Sequence, residues 1–152
     1  MHLTKHAHAC VQVEHHGKRI VIDPGDFTPD TPMLLAAADA VLVTHAHGDH
    51  VSFDALRTAM RARDHVSVYG PESVVTSLTD EFGDRARSVA PGDAFQIEGL
   101  QVSVHGGLHA AVFPGRTRDQ NVGYLLGGLV YHPGDSIESP DIDVDTLLVP
   151  VS

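Results

Sequence analysis

His45, His47, Asp49 and His50 fall within one six-residue run, with Ala46 and Gly48 between them. Imidazole nitrogen and carboxylate oxygen are ordinary donors to zinc, at about 2.0–2.2 Å. Four such groups this close together are unfavourable neighbours unless a cation lies among them. Gly48 lets the chain turn sharply between the two donor pairs. A lone His-x-His pair is common on surfaces, whereas the whole His-x-His-x-Asp-His string is specific. A divalent ion held this way can activate a bound water near neutral pH. No Ser-His-Asp or Cys-His arrangement competes with that reading.

The elements around the string must position it. Residues 40–44, Ala-Val-Leu-Val-Thr, read as a buried β-strand running directly into it. A ligand loop at the end of a rigid strand gains precision from the element behind it. Upstream, residues 9–13 and 19–22 read as strands joined through His16-Gly17-Lys18, and Asp23-Pro24-Gly25 stops the second. Residues 52–63 read as a helix, with Phe53, Leu56, Ala59 and Met60 on one face. A strand at 66–69 follows, and Pro71 opens a helix to about residue 78. Further on, strands are expected at 94–97 and 100–105. A hairpin is expected from 123–126 and 129–131 through Gly127-Gly128, and a last apolar strand at 146–149. Residues 106–121 form a long polar segment, of a length that is often functional. This order suits an α/β sandwich of mixed sheets better than a doubly wound parallel sheet.

Composition narrows the function classes. The chain has 152 residues, enough for one domain with a core. Its net charge is −10, which gives no general attraction for a phosphate backbone and argues against a nucleic-acid partner. No apolar stretch approaches the roughly 20 residues of a membrane span. The N-terminus lacks an apolar signal core, and Cys10 is the only cysteine, so a cytoplasmic location is expected. Cys10 reads as a small buried hydrophobe. Twelve histidines outnumber the ten lysines and arginines, as metal binding would favour.

The metal string resembles the signature of the metallo-β-lactamase superfamily. Residues 4–11, the strand ending Ile22-Asp23-Pro24-Gly25, and His132-Pro133-Gly134-Asp135-Ser136 fall in the order that superfamily uses. The likeness is strongest to the small single-domain branch that includes ascorbate-phosphate lactonase-like hydrolases. It implies an αββα sandwich of two mixed β-sheets flanked by helices. It also implies that His45 and His47 hold one divalent ion, that Asp49 and His50 hold a second, and that Asp135 bridges the two. A later histidine completes the first site; His109 is favoured and His105 is the alternative. The ions implied are one or two Zn2+, with Mn2+ or Fe2+ as alternatives.

Other candidates surround this set. His8 lies in a segment that borders the pocket of similar hydrolases and could touch substrate. Asp23 could accept the second N–H of a ligating histidine, or be a plain turn aspartate. His132 could orient a ligand or lie on the surface. Arg116 and Arg118 could hold an anionic substrate group, or form a solvated loop face. Similar hydrolases continue through a further helix and strand that deliver one more histidine to the second ion. Residues 1–152 are therefore expected to be one C-terminally incomplete domain, with the uncovered edge open to a homo-oligomeric partner. A complete second site would draw its remaining donor from His8, His105 or a partner chain.

The resemblance implies hydrolysis by a metal-activated hydroxide, with Asp49 orienting the water. The substrate expected is a small ester, lactone or amide, and a phosphodiester next. His47 stands where the diiron oxidoreductases of the superfamily carry glutamate, which argues against redox chemistry. The competing reading is a non-catalytic metal-binding domain or an inactive fragment of such a hydrolase.

Overall fold

The computed structural model describes residues 1–111, 117–138 and 141–151, and these build two mixed sheets. The first is ordered β1 (His2–Lys5), β2 (Val11–His15), β3 (Lys18–Ile22), β4 (Ala40–Leu42), β5 (Ser67–Gly70) and β6 (Ala86–Ser88). Its first three strands are antiparallel and β3 to β6 are parallel. The second sheet contains β7 (Ala94–Ile97), β8 (Leu100–Leu108), β9 (Gln120–Leu126) and β10 (Val130–His132), all antiparallel. The strand β11 (Thr146–Leu147) joins its edge parallel to β10.

Three helices cover the first sheet: α1 (Thr31–Ala37), α2 (Phe53–Ala62) and α3 (Glu72–Phe82). Their apolar stripes, including Leu34, Leu56, Met60, Val75 and Leu78, pack on Val21, Val41, Val43 and Val68. The opposite face of that sheet meets the second sheet through Ile20, Ile22, Leu42, Val102, Val104 and Tyr124. The central strand β4 is apolar at every position because both its faces are covered. Among the described residues no helix covers the outer face of the second sheet, where a full αββα sandwich has its fourth layer. There Tyr131 lies over Gly123, so close that a Cβ on Gly123 would stand 2.3 Å from its hydroxyl.

The expected β9–β10 hairpin forms, and its two central glycines have φ of 60° and 70°, as a type I′ turn requires. Several element boundaries differ from expectation. Residues 6–10 form a tight turn, with His6 N–H on the Cys10 carbonyl, so β2 starts at Val11 and runs to His15. Strand β1, helix α1 and strand β6 were not expected. They are short, and their pairing and packing partners, rather than their own periodicity, stabilise them. Helix α3 continues to Phe82, whose side chain reaches the core. Strand β8 extends to Leu108 against β9, so residues 106–108 and 120–121 of the expected loop are strand. The last strand is only two residues long and is exposed, shorter than the apolar strand expected over 146–149.

Topology gathers the loops. Strands β3 and β4 are parallel, so Asp23 and Thr44 leave their sheet at the same end. Val11 pairs with Ile22, which places the turn at 6–10 at that end as well. Val122 N–H donates to the Thr44 carbonyl, so the start of β9 abuts the start of the metal string across the two sheets. The end of β8 and the end of β10 flank the start of β9.

Candidate metal centre

Thr44 begins the site. Its hydroxyl donates to Asp23 Oδ2 at 2.7 Å, and its backbone N–H donates to Asp23 Oδ1 at 2.8 Å. With its proton committed, the hydroxyl oxygen accepts from His45 Nδ1 at 3.0 Å. His50 Nδ1 donates to Asp23 Oδ2 at 2.7 Å. Both rings thus carry a proton on Nδ1. The outward Nε2 atoms of His45 and His50 are buried and have no hydrogen-bond partner. Buried polar atoms are rarely left this way without a missing ligand. The donor chemistry fits a divalent cation: imidazole lone pairs held in place by a carboxylate behind them.

The other donors converge on these atoms. His45, His47 and His109 form one group whose candidate ligand atoms all lie within 4.8 Å of one another. His45, His50 and Asp135 form a second such group, and His8, Asp49 and His50 a third. Asp135 sits between them, with Oδ1 3.3 Å from His50 Nε2 and Oδ2 3.3 Å from His109 Nε2. Its turn is held by Asn121, which accepts from Asp135 N–H at 3.0 Å and donates to the Pro133 carbonyl at 2.8 Å. Gly134 is obligatory in that turn, because a Cβ there would lie 2.3 Å from Asn121 Oδ1. Likewise, a Cβ on Gly25 would lie 1.8 Å from the Asp49 carbonyl oxygen, so this glycine lets the Asp23 turn pack under the metal string.

The electrostatics match a cation site. Burial disfavours charge on His50, but Asp135 and Asp23 outweigh it and push the imidazole up to about 10. Burial, helped by the neighbouring His50 charge, pushes His45 down to about 4, so it is neutral at pH 7. His50 holds the Asp135 carboxyl well below the usual carboxylate range. Burial raises Asp23, yet the bond from His50 and the surrounding histidines bring it below its ordinary value. In the absence of an ion, a proton on His50 balances the carboxylates on either side; a divalent ion supplies the same balance.

The remaining candidates distribute as follows. His132 is buried, donates through Nε2 to the Ala9 carbonyl at 3.0 Å and accepts Gly134 N–H at Nδ1. It therefore ties the turn at 6–10 to the Asp135 turn. His105 lies outside the cluster, bonded to Ser103 Oγ at 3.0 Å and edge-on to Tyr131. Arg118 donates to the His109 carbonyl at 2.5 Å and pairs with Glu138 at 2.8 Å. These bonds brace the His109 turn, and Arg118 also lines a cavity beside His47 and His109. Arg116 lies outside the described residues. Sequence reasoning missed Thr44, Asn121 and Asp119, the last of which is 3.2 Å from His47 Nε2. Nothing in the local sequence distinguishes these residues, because the roles of Asn121 and Asp119, and the Asp23 bonds that orient Thr44, depend on partners 12 or more positions away.

A cleft of about 440 Å³ opens beside the cluster, lined by Lys5, His8, Asp49, His109, Asp135 and Leu148 among others. Among the described residues no helix is long and apolar enough to cross a membrane.

This fold and this cluster define a domain of the beta-lactamase superfamily type, and the comparisons agree. The beta-lactamase superfamily domain matches residues 2–152, and the chain belongs to that superfamily. Protein Rv0786c of Mycobacterium tuberculosis is 30% identical over 157 aligned positions, an alignment that covers 100% of this chain and 72% of the relative. A UPF0173 metal-dependent hydrolase of Thermoplasma volcanium is 31% identical over 91% of this chain and 62% of its own length. The chain therefore spans only part of these relatives, less than two thirds of the second. Among solved structures, a metallo hydrolase of Ignicoccus hospitalis, Igni18, superposes with a TM-score of 0.65 at 26% identity, over 88% of this chain and 60% of that one. A candidate metal-dependent hydrolase of Parabacteroides distasonis shares the fold at a TM-score of 0.74 and 22% identity, over 99% of this chain and 69% of its own.

Proposed function

We propose that this chain carries the catalytic metal centre of a hydrolase that cleaves a small ester, lactone or amide, with a phosphodiester as the next choice. The observation that carries this is the pair of buried, unpartnered Nε2 atoms of His45 and His50, facing His47, His109, Asp49 and Asp135. His45, His47 and His109 would hold one ion, and Asp49 and His50 a second. Asp135 presents one carboxylate oxygen towards each group, an arrangement suited to bridging. Zn2+ suits this nitrogen-rich donor set, and Mn2+ or Fe2+ is compatible with it.

When bound, the metal supplies Lewis-acid activation of water and of the scissile group. The protein's own contribution is orientation. Asp23 and Thr44 keep the protons of His50 and His45 on Nδ1, leaving Nε2 free. Asp49 Oδ2 sits at the rim of the cleft, where it can accept a proton from the attacking water and aim its lone pair. Leu148 and Val149 give one side of the cleft an apolar wall, which favours a substrate with a small hydrocarbon portion.

The test is reconstitution with Zn2+ or Mn2+, elemental analysis, and assay against generic esters, lactones and bis-nitrophenyl phosphate. Hydrolysis that is lost with chelator and absent in His45→Ala supports the reading. Less than about a tenth of an ion per chain, far below what a tight structural site retains, overturns it.

A further inference from the structure

We propose that His8 is a direct ligand of the second ion, completing with Asp49, His50 and the bridging Asp135 a set of two histidines and two carboxylates. This rests on the metal-centre reading above. It adds a donor from the N-terminal turn, a segment distant in sequence from every other ligand.

Three independent features converge on it. The first is geometry. His8 Nε2 stands 2.9 Å from Asp49 Oδ2, and candidate donor atoms of His8, Asp49 and His50 all lie within 4.8 Å of one another. Donors about 2.0–2.1 Å from one zinc ion are separated by about 3–4 Å, so these three sides nearly enclose such a position. The His8 and His50 rings meet edge to face, 5.4 Å between centroids. The second is the unpartnered ring nitrogen. His50 Nε2 is buried without a hydrogen-bond partner, with His8 and Asp49 close by. A His8–Asp49 hydrogen bond leaves that atom unsatisfied, whereas an ion shared by His8, Asp49, His50 and the bridging Asp135 satisfies it.

The third is that the turn is built to hold His8. Its φ is 51°, a left-handed conformation that a histidine rarely adopts. Such a conformation persists only where the surroundings enforce it. Here the carbonyls of the residues before and after His8 are clamped. Thr28 Oγ1 donates to the Ala7 carbonyl at 3.0 Å, and His132 Nε2 donates to the Ala9 carbonyl at 3.0 Å. Both clamping residues are buried. His132 can donate only from Nε2, because its Nδ1 accepts Gly134 N–H from the turn that carries Asp135. The His8 backbone is therefore referenced to the same turn as the bridging carboxylate. Its side chain stays partly open to the cleft.

The experiment uses Co2+ as the probe. Titrate the metal-free chain, uniformly labelled with 15N-histidine, and follow stoichiometry, chelator-competed affinity and hyperfine-shifted imidazole N–H signals. The expected result is two ions per chain and a strongly shifted His8 signal that appears only with the second ion. His8→Gly, which also relieves the left-handed backbone, is expected to keep the first ion and bind the second at least about 100-fold more weakly, exceeding the loss typical of an outer-shell partner. His8→Asp, which tolerates the same backbone and restores an oxygen donor, is expected to regain much of that affinity. A His8 signal that stays at its diamagnetic position, or second-ion binding unchanged in His8→Gly, overturns the proposal while leaving the first site intact. Failure of the unmodified chain to bind any Co2+ or Zn2+ overturns the metal-centre reading itself, and this proposal with it.

Discussion

Asp23→Asn isolates the device that prepares His50 for a metal. The carboxylate is completely buried and accepts three protons: Thr44 N–H at Oδ1, and Thr44 Oγ1–H and His50 Nδ1–H at Oδ2. Asparagine is nearly isosteric. It can keep its oxygen on Thr44 N–H, but its NH2 group then faces two donors. The Thr44 hydroxyl can rotate and become an acceptor. His50 can avoid a clash of protons only by carrying its proton on Nε2 and accepting at Nδ1. That is the tautomer that cannot bind an ion through Nε2. Hydrogen bonds to charged groups contribute about 1.5–3 kcal/mol each, and two are lost or weakened here. The rotating hydroxyl recovers part of this, so the metal-free protein is expected to lose about 3 kcal/mol. Metal affinity should fall by about 10–100-fold, the usual cost of removing a ligand's carboxylate partner. Urea unfolding in chelator gives the first number, and titration with Zn2+ the second. Nitrogen-detected NMR of the His50 ring in the loaded and metal-free protein reports the tautomer directly. Unfolding within about 0.5 kcal/mol of the unmodified chain, together with His50 still protonated at Nδ1, would refute the reasoning.

Other outcomes follow from the same geometry. His109→Ala should abolish binding at the first ion site, while His105→Ala should leave it within about twofold, since His105 is occupied with Ser103 and Tyr131; isothermal titration separates the two. Gly25→Ala should destabilise the fold by at least about 2 kcal/mol in thermal unfolding, because the added Cβ meets the Asp49 backbone and neither side is a flexible chain end. Cys10 should resist iodoacetamide at pH 8, since burial, reinforced by Asp23, pushes its thiol up to about 12. The native state then holds the Cys10 proton where the unfolded chain, with a thiol near 9.0, releases it. Stability is therefore expected to fall as pH rises from about 9 towards 12, by up to about 1.4 kcal/mol per pH unit. Fast alkylation of native protein, or flat stability over that range, counts against a buried Cys10.

The sequence alone determined the features in which cause and effect are neighbours on the chain. The four donors at residues 45–50 lie side by side, so their chemistry is legible without a fold. The helix at α2 shows its stripe in Leu56, Ala59 and Met60, and the β9–β10 hairpin shows its turn in Gly127-Gly128. The mixed α/β sandwich follows from the order of such elements. Short pieces were not legible: β1, α1 and β6 have too few residues for a period to emerge, and they exist because a neighbour pairs with or covers them. The extent of β8 depended on β9 in the same way.

Only the tertiary structure decided which distant residues meet the string. His105 and His109 are indistinguishable as residue types four apart, yet β8 directs one towards Tyr131 and its far end delivers the other to His45 and His47. Asp23 reaches His50, 27 positions away, because parallel strands β3 and β4 end on the same side. His8 reaches Asp49, 41 positions away, because the antiparallel pairing of β2 with β3 folds its turn onto that same edge. The physical reason is common to all three. Strand direction and sheet order determine which loops share an end, and those are properties of long-range hydrogen bonding that local sequence does not encode.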